Sequence, residues 1–294
     1  MERRMFLKGV SASTAGAMLG MDYWRTVQAA VADDAEKPIP RRPYKDGVQL
    51  SIVGFGGIVV VGQAQGDANR EVARSVERGV NYFDVAPSYG NGEAEEKLGI
   101  ALEPYRNQAF LACKTQRRDA QGSREELEHS LKVLKTDHFD LYQLHAMSKM
   151  EDVDTVLGAG GAMETFAKAR EEGKVRFLGF SAHDEDVALR LLDEFAFDSV
   201  LFPINYVCMA QGQFGPRLLA KAKEKGAACL ALKALAYTRW DGQQGRAKYP
   251  KCWYEPIADL EQARQALRFT LSENVTAAIP PGDEKIYRIA ETLA

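Results

Sequence analysis

Four polar side chains stand where apolar, strand-like runs of the sequence end. Asp84 closes one run and Tyr89 follows it, Lys114 closes the next run, and His145 closes the one after that. A carbonyl that accepts hydride becomes an alkoxide and needs a proton, which a tyrosine could supply although its unperturbed pKa is about 10. A lysine cation lowers that pKa, an aspartate would fix the lysine, and a histidine could orient the oxygen.

Each of the four residues also has an ordinary structural interpretation. Asp84 could cap a turn, Tyr89 could pack as an aromatic, Lys114 could extend its ammonium to solvent, and His145 could be a hydrogen-bonded core residue. Their order at the ends of consecutive strands favours a shared site, because such ends are neighbours around one rim of a barrel.

The elements that would position these residues alternate along the 294-residue chain as β-rich runs and amphipathic segments. Eight such units predict a single (β/α)8 TIM barrel with its chemistry at the C-terminal strand ends. A doubly wound sheet is disfavoured, since 54–57 (GFGG) lacks the third glycine of the dinucleotide-binding turn. The predicted strands are Val48–Phe55, Val80–Asp84, Ala109–Cys113, Phe139–His145, Val175–Phe180, Ser199–Pro203, Ala228–Leu235 and Val275–Ile279. The predicted helices are Glu125–Leu134 with Ser123 as its cap, Ala162–Glu172, Glu185–Phe195, Pro216–Lys225 and Leu260–Ser272, with Gly173 and Gly226 ending two of them.

Composition narrows the possible partners. The net charge is -3, so the chain has no large basic field for nucleic acid or an anionic membrane surface. Its 4 cysteines form no C-x-x-C pair and no cluster with metal-ligand spacing, so we expect free thiols and no metal site.

The first residues have a composition of their own. Arg3-Arg4-x-Phe6-Leu7-Lys8 precedes a weakly apolar run and an Ala-Val-Ala site, which resembles a twin-arginine export signal. We therefore divide the chain into a signal segment 1–32, a linker 33–46 and a barrel 47–294, and expect a periplasmic protein that uses the twin-arginine export machinery. An amphipathic N-terminal helix on a cytoplasmic protein is the alternative. The apolar run is too short for a comfortable membrane span.

Three longer motifs resemble the aldo-keto reductase family. They are NYFDVAPSYGNGEAEEKLGIAL at 81–102, LEHSLKVLKTDHFDLYQLHAM at 127–147 and KVRFLGFSAH at 174–183. The resemblance covers essentially everything after the signal segment. It implies that the chain reduces a carbonyl or oxidises an alcohol with a nicotinamide cofactor. It further implies that Tyr89 is the proton donor, that Lys114 and Asp84 tune it, and that His145 orients the substrate oxygen.

The resemblance also implies a set of cofactor contacts, in which the chain departs from the family. Ala182 and Leu201 replace an asparagine and a glutamine that usually meet the nicotinamide carboxamide, and Leu232 replaces a stacking aromatic. We expect NADP, with NAD as the alternative, and Lys285 and Arg288 are the cations nearest to a 2′-phosphate. The predicted cofactor-binding residues are Gly56, Gly57, Ser181, Asn205, Lys233, Gly282, Lys285 and Arg288.

The longest predicted connection, 237–256, carries aromatic residues after the seventh strand. We expect it to be a lid in which Trp240, Trp253 and Tyr254 contact substrate, and a self-packed surface loop is the alternative. The short C-terminus predicts an open pocket for a bulky or polar ligand such as a sugar derivative. The family's habit predicts a monomer, and export predicts a tightly held cofactor.

Two other functions remain open at this point. A non-catalytic barrel could retain the fold and bind cofactor or ligand as a sensor. A hydrolase with paired carboxylates is disfavoured because Asp84 has no second acidic residue at a neighbouring strand end.

Overall fold

The computed structural model describes residues 37–212 and 214–294, so the predicted signal segment 1–32 lies outside the described residues. Eight parallel strands follow one another around a barrel. They are β3 (Phe55–Gly56), β4 (Tyr82–Asp84), β5 (Phe110–Thr115), β6 (Phe139–Met147), β7 (Val175–Ala182), β8 (Ser199–Pro203), β9 (Ala228–Leu232) and β12 (Ala277–Ile279). Two antiparallel pairs lie outside the barrel, β1 (Arg41–Pro43) with β2 (Gln49–Ser51) and β10 (Ala236–Thr238) with β11 (Glu255–Pro256).

The barrel closes where the first and last strands meet. Val53 forms a parallel bridge with Ala278. Around this bridge the Gly54 N–H donates to Ala278 O at 2.9 Å and the Ala278 N–H donates to Ile52 O at 2.8 Å. The ring is therefore complete, as the sequence predicted, and its closing seam is short.

The helices surround the barrel. They are α1 (Gln65–Glu77), α2 (Glu93–Leu102), α3 (Ala120–Val133), α4 (Met150–Leu157), α5 (Ala162–Glu171), α6 (Glu185–Glu194), α7 (Tyr206–Gly212), α8 (Pro216–Lys225), α9 (Gln243–Lys248), α10 (Leu260–Ser272) and α11 (Glu284–Leu293). Short 3-10 turns are η1 (Gly57–Val60), η2 (Tyr89–Gly92) and η3 (Glu103–Gln108). Across the described part of the chain, no helix is long and apolar enough to cross a membrane.

Side chains that alternate along the strands divide the apolar core into two layers. The larger layer lies between strands and helices. The smaller layer fills the barrel interior, where Tyr82, Phe110 and Leu141 pack with Leu201 and Ile279. Because the interior is filled, the barrel supports a site on its rim and is not a pore.

The N-terminal end of the barrel is covered by the β1–β2 hairpin. The ring of Tyr44, in its turn, lies 5.1 Å from Phe110 and 5.2 Å from Phe177 at steep edge angles. The predicted linker 33–46 is therefore wrong for Arg41–Pro43, which is a strand. The predicted first strand Val48–Phe55 is split between β2 and β3, because the hairpin takes its first part.

Other local predictions also need correction. The N-cap of α3 is Asp119, which accepts from the Gly122 N–H at 2.7 Å, whereas Ser123 is buried inside the helix. The predicted strand Ala228–Leu235 ends at Leu232, since Lys233 takes a left-handed conformation with φ of 61°. The connection 237–256 is not a plain loop, because it contains most of β10 and the whole of both α9 and β11.

Candidate active site

The four residues predicted from the strand ends come together at the C-terminal rim. The buried Lys114 ammonium contacts the buried Asp84 carboxylate. The same nitrogen lies 3.3 Å from the Tyr89 hydroxyl and donates to Val85 O at 3.3 Å. β4 and β5 are adjacent with Asp84 opposite Ala112, so Lys114 lies two residues further along β5 on the same face, and its long side chain reaches the carboxylate.

Asp84 has two further partners that fix its second oxygen. The Tyr82 hydroxyl donates to Oδ2 at 3.3 Å and the Gln143 side-chain amide donates to it at 3.2 Å. Gln143 was not predicted, although it precedes His145 by one strand period and therefore points the same way. The carboxylate is held on three sides, so it can orient Lys114 without moving.

Electrostatics leave Lys114 charged and Tyr89 protonated at neutral pH. Burial opposes the charge on Lys114, but Asp84 and Tyr89 together raise its pKa above the usual value. Burial raises the pKa of Tyr89 above 10, and the opposing influence of Lys114 does not cancel it. Lys114 does lower the pKa of Tyr89, as expected, but burial raises it by more. Tyr89 is therefore protonated at neutral pH and can act as a proton donor.

His145 faces Tyr89 across the rim, with ring centroids 5.8 Å apart at 82°. Burial, then the neighbouring Lys114 charge, lowers the pKa of His145 to about 3. The imidazole is consequently neutral at physiological pH. Its Nδ1 is buried with no hydrogen-bond partner among the described residues.

The backbone turns sharply after both of these residues. Gly90, directly after Tyr89, has φ of 61°, and a Cβ there would lie 2.8 Å from Val61. Ala146, directly after His145, has φ of 55° at an irregularity in β6, and its N–H donates to Ser181 Oγ at 2.8 Å. A non-glycine residue in this conformation is costly and is concentrated at functional sites.

A cavity opens beside this group and, counted together with its open mouth, contains about 680 Å³ of empty space. Of the predicted residues, those lining it are Asp84, Tyr89, Lys114, His145, Gly56, Ser181, Lys233, Gly282, Trp253 and Tyr254. Sequence reasoning missed the contributions of His183, Lys251 and Cys252. The only sequence signal for Lys251 is that it is a cation inside the aromatic connection 237–256.

Some predicted cofactor residues lie elsewhere. Arg288 is paired with Glu71, whose carboxylate accepts from its Nε at 3.2 and 3.1 Å and from its Nη2, so the arginine is already neutralised. Asn205 accepts from the Cys208 N–H at 3.0 Å and does not line the cavity. Lys285, in the first turn of α11, also stands outside the lining.

Gly57 and Trp240 are likewise outside the cavity lining and serve packing. A Cβ on Gly57 would lie 2.8 Å from Val85, so that glycine permits close packing of η1 on the rim. The Trp240 indole donates to Cys252 O at 2.9 Å and fixes the 237–256 connection internally. The predicted substrate contact of Trp240 is therefore not supported, while Trp253 and Tyr254 do line the cavity.

The residues present fit a nicotinamide cofactor. Leu201, Leu232 and Ile279 line the same cavity as Tyr89 and give it an apolar surface on which a flat ring could lie. Lys251 supplies a cation for phosphates, and Ser181 supplies a hydroxyl for the carboxamide. A Cβ on Gly282 would lie 1.4 Å from Ile58 Cγ2, so the chain approaches η1 as closely as only glycine allows. Among the residues that the structure describes, no His, Cys, Asp and Glu cluster could hold a metal.

Comparison with known proteins identifies the family of the chain. The family model described as "Aldo/keto reductase family" matches residues 53–280. The chain is 24% identical to the uncharacterized oxidoreductase YqkF of Bacillus subtilis over 84% of this chain and 87% of that protein. It is also 24% identical to L-galactose dehydrogenase of Arabidopsis thaliana, over 84% and 85% of the two chains. The holo form of aldo-keto reductase AKR11C1 from Bacillus halodurans shares the fold, with a TM-score of 0.67 at 21% identity over 87% of this chain and 90% of that one. The chain therefore belongs to the aldo/keto reductase family.

Proposed function

We propose that this protein interconverts a carbonyl and its alcohol with a nicotinamide cofactor, and that Tyr89 is the proton donor. The observation that carries the proposal is the Lys114 ammonium, which contacts Asp84 and lies 3.3 Å from the Tyr89 hydroxyl at the edge of the cavity. The bound cofactor supplies the hydride in reduction and accepts it in oxidation.

The side chains of the rim have separate roles in this scheme. Tyr89 gives its proton to the substrate oxygen as negative charge develops there, and the fixed Lys114 charge stabilises the phenolate that remains. Neutral His145 donates an N–H to the same oxygen and orients it. Asp84, held by Tyr82 and Gln143, keeps Lys114 in place.

The test is carbonyl-dependent oxidation of NADPH and NADH by the wild type and by Tyr89→Phe, with a panel of aldehydes, ketones and aldoses. The variant loses the hydroxyl alone, so we expect kcat/KM to fall by about 10²- to 10⁴-fold. Tyr105→Phe is the matched control, since Tyr105 lies in η3 and does not line the cavity. Equal loss in both variants, or none in Tyr89→Phe, would remove Tyr89 from the reaction.

A non-catalytic barrel is the second candidate, and the cofactor side of the cavity favours it. Ala182 and Leu201 offer no amide to a nicotinamide carboxamide, and Leu201 is fully buried. Such a protein would quench its tryptophan fluorescence on adding NADPH yet oxidise none of the bound cofactor with any carbonyl of the panel.

We further propose NADP as the preferred cofactor and a sugar-derived compound as the substrate. The relationship to L-galactose dehydrogenase supports a polyhydroxylated substrate. Since Arg288 is paired with Glu71, any recognition of a 2′-phosphate depends on Lys285 and on the first turn of α11. Dissociation constants for NADPH and NADH decide this, and tighter binding of NADH would reverse the assignment.

Export through the twin-arginine pathway is also a proposal, supported by the Arg3-Arg4-x-Phe6-Leu7-Lys8 pattern. Replacing both arginines by lysine should retain the protein in the cytoplasm of its native cells, as cell fractionation would show. Unchanged fractionation would indicate that residues 1–32 have another role.

A further inference from the structure

The cavity carries more positive than negative charge. Its charged lining residues are Asp84, Lys114, Lys233 and Lys251. Asp84 is the single carboxylate in that lining, and Lys114 neutralises it. In the described part of the chain, the two other lysines therefore face the cavity without a carboxylate among its lining residues.

Lys233 has the more unusual surroundings of the two. It follows β9 directly, and its φ of 61° places a non-glycine residue in the left-handed region, which costs free energy. Its Nζ lies 6.0 Å from the centre of the Tyr254 ring. Burial lowers the pKa of Lys233, and Arg239 lowers it further. Among the cavity-lining residues of the described chain, the single carboxylate, Asp84, is paired with Lys114, so Lys233 is a half-buried cation that an anionic ligand could neutralise.

Lys251 faces a different part of the cavity. Its ammonium donates to Val59 O at 2.8 Å and to Val61 O at 3.1 Å, which ties the 237–256 connection to η1. Its backbone oxygen would lie 3.5 Å from a Cβ on Gly282, just before the N-terminus of α11. A helix N-terminus attracts phosphate, so Lys251 stands on the side suited to the phosphates of a dinucleotide.

Lys233 stands instead beside the substrate end of the cavity. Trp253 lies 6.3 Å from the Tyr89 ring, and the next residue, Tyr254, carries the ring under Lys233. His183 also connects this region to the proton-transfer group, because it lies close enough to His145 to lower the pKa of that imidazole further, and Lys233 in turn lowers the pKa of His183. A short carbon chain could place its carbonyl at Tyr89 and an anionic group at Lys233.

We infer that the substrate carries a carboxylate a few bonds from its carbonyl, and that Lys233 binds that carboxylate. This inference rests on the proposed reductase function and names the class of its substrate, a carboxylate-bearing aldehyde or ketone such as a sugar acid or a semialdehyde. The exposed His183, which lines the same part of the cavity, offers a further imidazole to such an anion.

The probes are succinic semialdehyde and its methyl ester, which have the same aldehyde and nearly the same size but differ in charge. We expect the wild type to prefer the acid by about 10- to 100-fold in kcat/KM, chiefly through KM, because hydrogen bonds to charged groups are strong. Lys233→Met should bring the acid-to-ester ratio to within about 3-fold of one, and Lys233→Arg should keep most of the preference. Lys248→Met is the control, since Lys248 ends α9 in the same connection but does not line the cavity.

Measured dissociation constants for NADPH and NADH separate the other outcomes. If Lys233→Met weakens cofactor binding as much as it lowers the ratio, the lysine serves the cofactor and the inference is wrong. If the wild type reduces acid and ester equally well, the reductase function stands and the inference fails. If it reduces no carbonyl at all with either cofactor, the proposed function fails and the inference with it.

Discussion

The two halves of the cavity rim are built in different ways. On the half formed by β4, β5 and β6, polar groups hold one another, as Asp84 does with Lys114, Gln143 and Tyr82. On the half formed by β7, β8, β9 and β12, the strand ends are mostly apolar, and the cations Lys233 and Lys251 belong to the segments beyond β9.

The β4–β6 half is therefore a rigid proton-transfer site, whereas the β7–β12 half is completed by segments that are distant in sequence. Lys251 reaches Val59 across 192 positions of sequence, and Gly282 packs against Ile58. Substitutions in the first half should therefore abolish the reaction, whereas substitutions in the second half should mainly weaken the binding of cofactor. The following predictions test that distinction.

The largest effect should come from Lys114→Met. The substitution leaves Asp84 buried without its counter-charge, which costs about 3–5 kcal/mol of unfolding free energy. It also removes the charge that stabilises the phenolate, so kcat/KM should fall by at least about 10²-fold. Urea unfolding and steady-state kinetics measure the two effects. The double variant with Asp84→Asn should regain stability and no activity, and recovered activity would contradict the assignment of Lys114.

A smaller effect is expected from Gly282→Ala on the other half. The new Cβ would overlap Ile58 Cγ2, and overpacking of this kind costs about 1–3 kcal/mol. Cofactor dissociation constants should rise more than kcat falls, and adding Ile58→Ala should restore part of the affinity. A selective fall in kcat would show that the two halves are not separate.

Lys251→Met should have a more modest effect. The Val59 and Val61 carbonyls lose a charged donor, so the 237–256 connection is held less firmly to η1. We expect cofactor to dissociate roughly 10-fold faster, in line with the loss of one or two such bonds. Stopped-flow release measures this, and an unchanged rate would mean that the contact does not restrain the connection.

The smallest effect concerns pH. Because the pKa of His145 is lowered to about 3, the imidazole stays neutral from pH 5 upward. Because burial raises the pKa of Tyr89 above its usual value, the phenol keeps its proton up to at least pH 9. The kcat/KM for reduction of a neutral aldehyde should therefore be flat between pH 5 and 9. An inflection near 6.5 would show that His145 titrates and acts as an acid.

Sequence predicted the first half of the rim much better than the second. Asp84, Tyr89, Lys114 and His145 lie at or just beyond the C-terminal ends of consecutive strands, so the barrel pattern alone brings their side chains together. Strand alternation also places Gln143 on this face, because it lies one strand period before His145. The closed ring of eight parallel strands was also predicted, because each strand and helix shows its own periodicity.

The second half could not be predicted in the same way. The pairing of Arg288 with Glu71, the position of Lys251 and the closeness of Gly282 to Ile58 all depend on contacts between distant segments. The β1–β2 hairpin was missed for a related reason. Leu50 faces the barrel interior as a first-strand residue would, although its strand belongs to the hairpin that closes the other end.

The seam between β3 and β12 gives the barrel a place where native-state opening should begin. β6 and β7 pair along most of their length, whereas the seam depends on the Val53–Ala278 bridge and the few backbone bonds around it. Amide hydrogen exchange should be fastest there among the barrel strands, since local opening follows the least protected pairing. Gly56 and Gly282 continue the chain from the two sides of this seam into the cavity wall. A bound dinucleotide that contacts both sides would therefore slow exchange at Gly54 and Ala278, which makes these two amides reporters of cofactor occupancy.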